Sequence, residues 1–381
     1  MMPDAQELLQ LALPHNPGVD PNIFLGELVG NEPFWAALQP FLSSRGYTLR
    51  PRYHPDWVPS WINHPKPLRD LTAFEDALTI DCANLMDATR TYDGLKVVFK
   101  SVDTATEEID VVQYLNSPML PADPRNRTVQ ILEIIPLPGN ATRALIVMPL
   151  LYPFDRLPFR RVGEFAEVVH QLLQVSLNNH VSMAGLILLP RALNSYMNII
   201  LHIGIMCALS RLSKSQYILG MLATSTSLDA SRVIPRGFHF MNQRAHDGVS
   251  PDFKWRERWS VRPVQYYFID FGLSQRYSPG QVNIRDTGIF GQDRSVPEHS
   301  LSIPYDPFKS DVYQLGNVIL QVIRDYKGLE AFLPLGQAMT RANPDERPSA
   351  SEALRHFEKL PLGWWACRRY VRRQLACHLY T

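Results

Sequence analysis

An aspartate that closes one apolar run, a lysine that closes another and a glutamate just after that lysine are the residues of this chain best spaced for chemistry. The run YYFI ends in Asp270-Phe271-Gly272. A carboxylate at the end of a buried strand is costly unless it meets a cation or hydrogen-bond donors. Magnesium, a hard cation, takes such oxygen ligands. The run KVVF ends in Lys100. A lysine at a strand end is ordinarily a solvated charge, but Glu108 changes that reading. In EIDVVQYL the apolar Ile109, Val112 and Leu115 share a helix face. A glutamate there can reach back to the Lys100 ammonium and fix it for a phosphate. Glu107 is the alternative partner, and either glutamate also fits an ordinary exposed helix charge.

The elements that must position these groups follow from pattern. Residues 77–103 alternate apolar and polar character around Tyr92-Asp93-Gly94, which predicts a hairpin. A short helix is predicted over 104–117, then strands in TVQILEIIPL and RALIVMPLL. Helices follow over 163–174, 306–327 and 349–359, the last capped by Ser349. Asp311 is read as standing at the start of the second of these, where a carboxylate accepts backbone N–H groups and suits the helix dipole. Strands, a helix, more strands and then mostly helices make an α+β chain.

The 381 residues are 45% hydrophobic and 20% charged, which suits a globular protein able to bury a large core without disulfides. A net charge of +1 supplies no global field toward nucleic acid or membrane. The four scattered cysteines form neither a disulfide framework nor a Cys-x-x-Cys pair, so a reducing, intracellular compartment is expected. The N-terminus lacks the basic start and apolar core of a signal peptide. Cytoplasm and nucleus are not distinguished: the arginine pairs 368–369 and 372–373 fit a localisation signal or a solvated face. Residues 1–75 are rich in proline and tryptophan and read as an extended arm packed on a folded body, with Tyr53, Trp57, Val58 and Trp61 too apolar for a free tail.

Taken together, these stretches resemble a eukaryotic protein kinase domain, and more narrowly the divergent kinase-like proteins of mushroom-forming fungi. RPRYHPDWVPSW, DATRTYDGLKVVFK, IVMPLL, DASRVIPRGFHF, YYFIDFGLSQRY and PYDPFKSDVYQLGN carry the resemblance. It implies a bilobal fold with a small strand-rich lobe over 76–152 and a helical lobe over 153–360, followed by a basic tail over 361–381. It implies ATP between the lobes and Mg2+ on Asp270, with Lys100 and Glu108 serving the nucleotide, Phe271 packed between the lobes and Gly272 permitting a sharp turn. Pro297-Glu298 matches the end of the A-P-E motif, with Val296 in place of its alanine, Arg347 would be the partner of Glu298, and Asp311 would brace the catalytic loop. The implied partners are ATP and a protein substrate accepting phosphate on Ser or Thr, with neither nucleic acid nor membrane.

Two departures set the functional expectation. No G-x-G-x-x-G precedes the lysine hairpin, so the backbone donors that cover the phosphates are reduced. No His-Arg-Asp catalytic loop precedes Asp270. In its place stands 175–228, apolar and without a single Asp or Glu. That stretch reads as translated intron or an out-of-frame exon, or else as a genuine apolar insertion. A membrane span over 186–209 is the outside reading, since Pro190, Arg191, Asn194, Asn198 and His202 interrupt it. The expectation is a kinase by family, inactive as written, with a catalytically dead kinase fold acting as a binding module as the alternative.

Overall fold

The computed structural model describes residues 26–62, 73–80, 84–117, 126–175, 226–272 and 293–361. Shorter pieces are described at 82, 181–182, 274–276, 283–288 and 371–372. Its centre is a five-stranded antiparallel sheet in the order β1-β2-β3-β5-β4. The strands are β1 (Tyr47–Thr48), β2 (Leu85–Arg90), β3 (Lys96–Asp103), β4 (Glu133–Leu137) and β5 (Asn140–Pro149). The β2–β3 hairpin turns at Tyr92-Asp93-Gly94, where Asp93 accepts the Leu95 N–H and pairs with Arg90. Strand β3, rich in β-branched residues, is buried along most of its length.

Both faces of β3 are covered. Val98 and Val102 pack with Val111, Val112 and Leu115 of helix α2 (Glu108–Leu115). Val97 and Phe99 pack with Trp35 and Leu42 of helix α1 (Glu32–Ser44). The expected extended arm is therefore corrected in part: residues Glu32–Ser44 of it form a helix that covers one face of the sheet, while much of the remaining described chain is irregular. Tyr53 and Trp61 are buried as expected, Trp57 is half-buried, and Val58 stands exposed. Two buried ion pairs bind the segment down. Arg52 forks onto Glu32 at 2.8 and 2.9 Å. Arg50 forks onto Asp87 at 2.9 and 2.7 Å and also meets Glu75 and the His246 carbonyl.

The second half is helical. Helices α3 (Val162–Val175), α4 (Pro307–Asp325), α5 (Leu333–Met339) and α6 (Ala350–Glu358) share one apolar core. A three-stranded sheet packs into the same core: β6 (Tyr152–Pro153), β8 (Thr226–Leu228) and β9 (Tyr266–Phe268), in the order β6-β8-β9. Three two-stranded pairs complete the described strands. They join β7 (Val181–Ser182) to β10 (Gln275–Arg276), β11 (Asp286–Gly288) to β12 (Ser300–Tyr305), and β13 (Tyr326–Lys327) to β14 (Val371–Arg372). At Gly316 a Cβ would lie 2.7 Å from that of Met339, so glycine there lets α4 and α5 pack closely. Ser349 and Glu352 form a capping box at the start of α6.

Asp311 is a second correction. The N-cap of α4 is Asp306, whose carboxylate accepts from Phe308 N (2.9 Å) and Lys309 N (3.3 Å), and Asp311 is already inside the helix. Proline at the first helical position places the start there, because its fixed φ and missing N–H suit that position. Most of 175–228 lies outside the described residues, including all of 186–209 and the whole window for a catalytic loop. The described chain takes up again at Thr226, the first residue of a strand, and Leu228 is fully buried. No helix among the described residues is long and apolar enough to cross a membrane.

Candidate functional site

The alternation of β3 turns Lys100 toward the same side as Val98 and Val102, facing α2. In register it lies between Leu85 of β2 and Ile146 of β5. Residues 104–107 return the chain so that α2 begins on Glu108. That carboxylate is buried at the helix N-terminus, where the helix dipole favours an anion. The exposed Glu107 sits outside the helix as its cap residue and makes no ion pair with described residues. On α2 itself, Val111 rather than Ile109 completes the buried face with Val112 and Leu115.

Asp270 arrives from the other half of the chain. Strand β9 is held by Gln171 of α3, which donates to Val264 O (2.8 Å) and accepts from Tyr266 N (3.0 Å). On its other side Phe268 exchanges backbone bonds with Arg127 and Val129 at 2.7 and 2.9 Å. Immediately beyond, Asp270 takes a left-handed backbone with φ of 70°, a conformation costly for any residue with a Cβ. Beyond it the chain turns at Gly272, as the Ser274 N–H donates to Phe271 O at 3.0 Å. Gly272 serves by its lack of a side chain, because a Cβ there would lie 3.1 Å from Glu108 Oε2 and 3.4 Å from Lys100 Nζ. Phe271 is 2% exposed and packs among Val98, Val111, Val112 and Met148.

These placements bring the three predicted residues together. Lys100 Nζ lies 2.5 Å from Glu108 Oε1 and 2.6 Å from Asp270 Oδ1, the latter across 170 residues of sequence. Burial alone would lower the lysine's pKa, but Asp270 and then Glu108 raise it on balance. Glu108 is shifted up chiefly by burial and further by Asp270, against the pull of Lys100 and a hydrogen bond from the Phe271 backbone. Lys100 and Glu108 have side-chain exposures of 10% and 7%, whereas Asp270 is 44% exposed. The cluster thus holds two carboxylates against one ammonium, and its open edge is Asp270.

Of the three, the Asp270 carboxylate at the open edge is the group that could meet a hard cation. Mg2+ is commonly bound by one or two carboxylates plus substrate phosphates rather than by an all-protein cage. Among the described residues no cluster of three or more His, Cys, Asp or Glu could hold a metal unaided. Residues 49–84, which connect β1 to β2, contain no glycine.

Glu298 and Arg347 also meet, as a buried two-pronged ion pair remote in sequence from the lysine cluster. The residues that sequence reasoning missed are those acting at a distance. Gln171 steadies β9, and Arg50 ties β2 to the 238–250 segment. The only signal in either case was a polar residue within an apolar setting. No family model and no curated protein matches the chain.

Proposed function

We propose that this chain is a bilobal, protein-kinase-like protein whose cleft takes ATP with Mg2+ but which does not transfer phosphate as written. The observation that carries the reading is the meeting of buried Lys100 and Glu108 with the half-open Asp270. A lysine on the third strand, paired with a glutamate on the following helix and close to an Asp-Phe-Gly aspartate, is the arrangement kinases use around ATP phosphates. The paired Arg347 and Glu298 support the same reading. In it, Lys100 holds the phosphates, Glu108 fixes the lysine and Asp270 holds the metal. When bound, the metal neutralises charge on the phosphates. Gly272 keeps the floor of the site free of a methyl group.

The missing phosphate-covering glycines and the lack of any acid in 175–228 favour a binding module over a transferase. Thermal unfolding of the full chain with ATP alone, magnesium alone and both together tests the proposal. Ligand that binds only the folded state raises the transition, and the rise grows with the logarithm of its concentration above Kd. The expected result is a rise with ATP and magnesium together that is lost in Lys100→Met and in Asp270→Asn. No rise at saturating ATP and magnesium overturns it.

A further inference from the structure

Away from the lysine cluster, two strips of chain, 154–161 and 254–262, present arginines and tryptophans together. The Arg160 guanidinium stands over the Trp255 ring at 5.7 Å. The Trp259 ring carries Arg262 at 4.1 Å and Arg161 at 5.5 Å. Arg232 joins them by donating to the carbonyls of Pro263 (3.3 Å) and Arg262 (3.5 Å). Arg256 is adjacent, its N–H on the Val233 carbonyl. Arg160, Arg232, Arg256 and Arg262 are all exposed.

The face has a dedicated foundation. Glu164, 0% exposed, takes the backbone N–H groups of Arg160 (2.6 Å) and Arg161 (3.2 Å) on one oxygen and that of Trp259 (2.9 Å) on the other. Arg258, also 0% exposed, donates to the carbonyls of Phe154 and Leu157 and lies over the Phe159 ring at 4.2 Å. One buried carboxylate and one buried guanidinium therefore pin both strips together. The exposed arginines stand on a fixed backbone, which lowers the ordering cost of binding. Acids share this surface, with Asp155 and Glu257 lying in the two strips themselves. Asp252 pairs with Arg236 and Lys254, while Glu167 is 3.9 Å from Arg262. Arg160, Arg232 and Arg256 make no ion pair with any described residue.

We propose that this face docks an acidic segment of a partner protein. A guanidinium stacked on an indole keeps its N–H edges directed outward, the geometry that receives a carboxylate. Sites for single-stranded nucleic acid need open aromatic platforms for base stacking, and the Trp259 ring already carries two guanidiniums. A net charge of +1 also gives little of the long-range attraction on which nucleic-acid binding depends. The proposal does not rest on the nucleotide cleft, since none of its residues belongs to the lysine cluster.

The test titrates the full chain against a fluorescein-labelled octaglutamate peptide at low and at raised salt. Salt-sensitive binding is expected, weakened about tenfold in the combined variant Arg160→Gln, Arg256→Gln, Arg262→Gln. A control pair on other exposed surfaces, Arg324→Gln with Arg355→Gln, is expected to retain it. Melting curves report whether the combined variant keeps its fold. If it melts early, Arg232→Gln and Arg256→Gln are measured singly, each expected to weaken binding about twofold to threefold. Equal binding by these variants and the parent overturns the proposal. So does tighter binding of an oligothymidylate that is lost in the same variants, which would make the partner a nucleic acid.

Discussion

Arg347 and Glu298 close on one another through two parallel contacts, Nη1 to Oε1 at 2.5 Å and Nη2 to Oε2 at 2.7 Å, across 49 residues of chain. Their side chains are 0% and 9% exposed. The guanidinium also donates from Nε to Arg341 O at 2.6 Å, reaches the carbonyls of Lys309 and Ala342, and lies over the Tyr313 ring. Removing one partner of such a pair leaves the other charge buried without its counter-charge. Glu298→Ala is therefore expected to cost about 3–5 kcal/mol in chemical denaturation. Arg347→Lys keeps the charge but not the fork and should lose a substantial part of that. A loss below about 1 kcal/mol in both variants would place the pair with solvent-screened surface bridges and refute this account.

Lys100 is expected to matter to folding before it matters to any ligand. Lys100→Met leaves Glu108 and Asp270 facing each other at a largely buried site. Roughly 3 kcal/mol of destabilisation is expected. Because the Glu108 carboxyl is already shifted upward, the folded state takes up its proton more readily than the unfolded chain. The stability linked to that proton is present at low pH and lost as pH rises through the folded pKa. The cost of Lys100→Met should therefore be smaller in acidic than in alkaline solution. Adding Glu108→Gln should restore most of it. A cost independent of pH, with no rescue by the double variant, would show that lost packing rather than stranded charge is responsible.

The groups legible in the sequence were those with a local signature. Alternation placed Lys100 on a strand, helical spacing placed Glu108 at the next helix, and an apolar run followed by Asp-Phe-Gly placed Asp270 at a strand end. Helix α1 was hidden by proline, since Pro33 sits in its first turn and Pro40 inside it. Proline density therefore argued for an extended chain where Trp35 and Leu42 bury a helical face. Asp306 and Asp311 both fit a helix start by residue type, and Pro307 decides for Asp306. The left-handed backbone of Asp270 and the Arg50–Asp87 pair had no local trace, because one is set by strand β9 meeting α2 and the other by contacts distant in sequence.

His239 should make stability depend on pH in mildly acidic solution. It is 2% exposed, with Nδ1 accepting the Met241 N–H at 3.2 Å. Burial first, and then the Arg50 charge, lower its pKa from 6.5 to about 4, with Asp87 and Asp247 opposing and His246 reinforcing. Between those values the unfolded chain binds a proton that the folded chain refuses. Stability is thus fully present above about pH 6.5 and is lost as pH falls toward about pH 4, by up to roughly 3 kcal/mol. His246, lowered by burial and then by Lys96 and Arg50, adds in the same direction. Urea unfolding across this range checks the slope. His239→Gln should flatten it, and an unchanged slope in that variant would assign the effect to other groups.

The last expectation is that the chain transfers no phosphate even when it holds ATP. In the proposed reading Lys100 and Asp270 supply an ammonium for phosphate and a carboxylate for the metal, but positioning an acceptor hydroxyl requires a further group placed to orient it and take its proton. Such general-base assistance is typically worth ~10²–10⁴-fold. Segment 175–228 carries no carboxylate to offer. Asp229, just beyond it, is engaged by the Ser231 N–H at 2.9 Å. Incubation with labelled ATP and magnesium, with the chain itself and general protein acceptors as targets, should give label at the level of an Asp270→Asn blank. The same preparation should still show the nucleotide-dependent rise in melting temperature, which separates an empty cleft from an occupied but silent one. Turnover well above the blank and abolished by Asp270→Asn would mean that another residue supplies the missing base, and the reading of this cleft as a binding site without catalysis would fall.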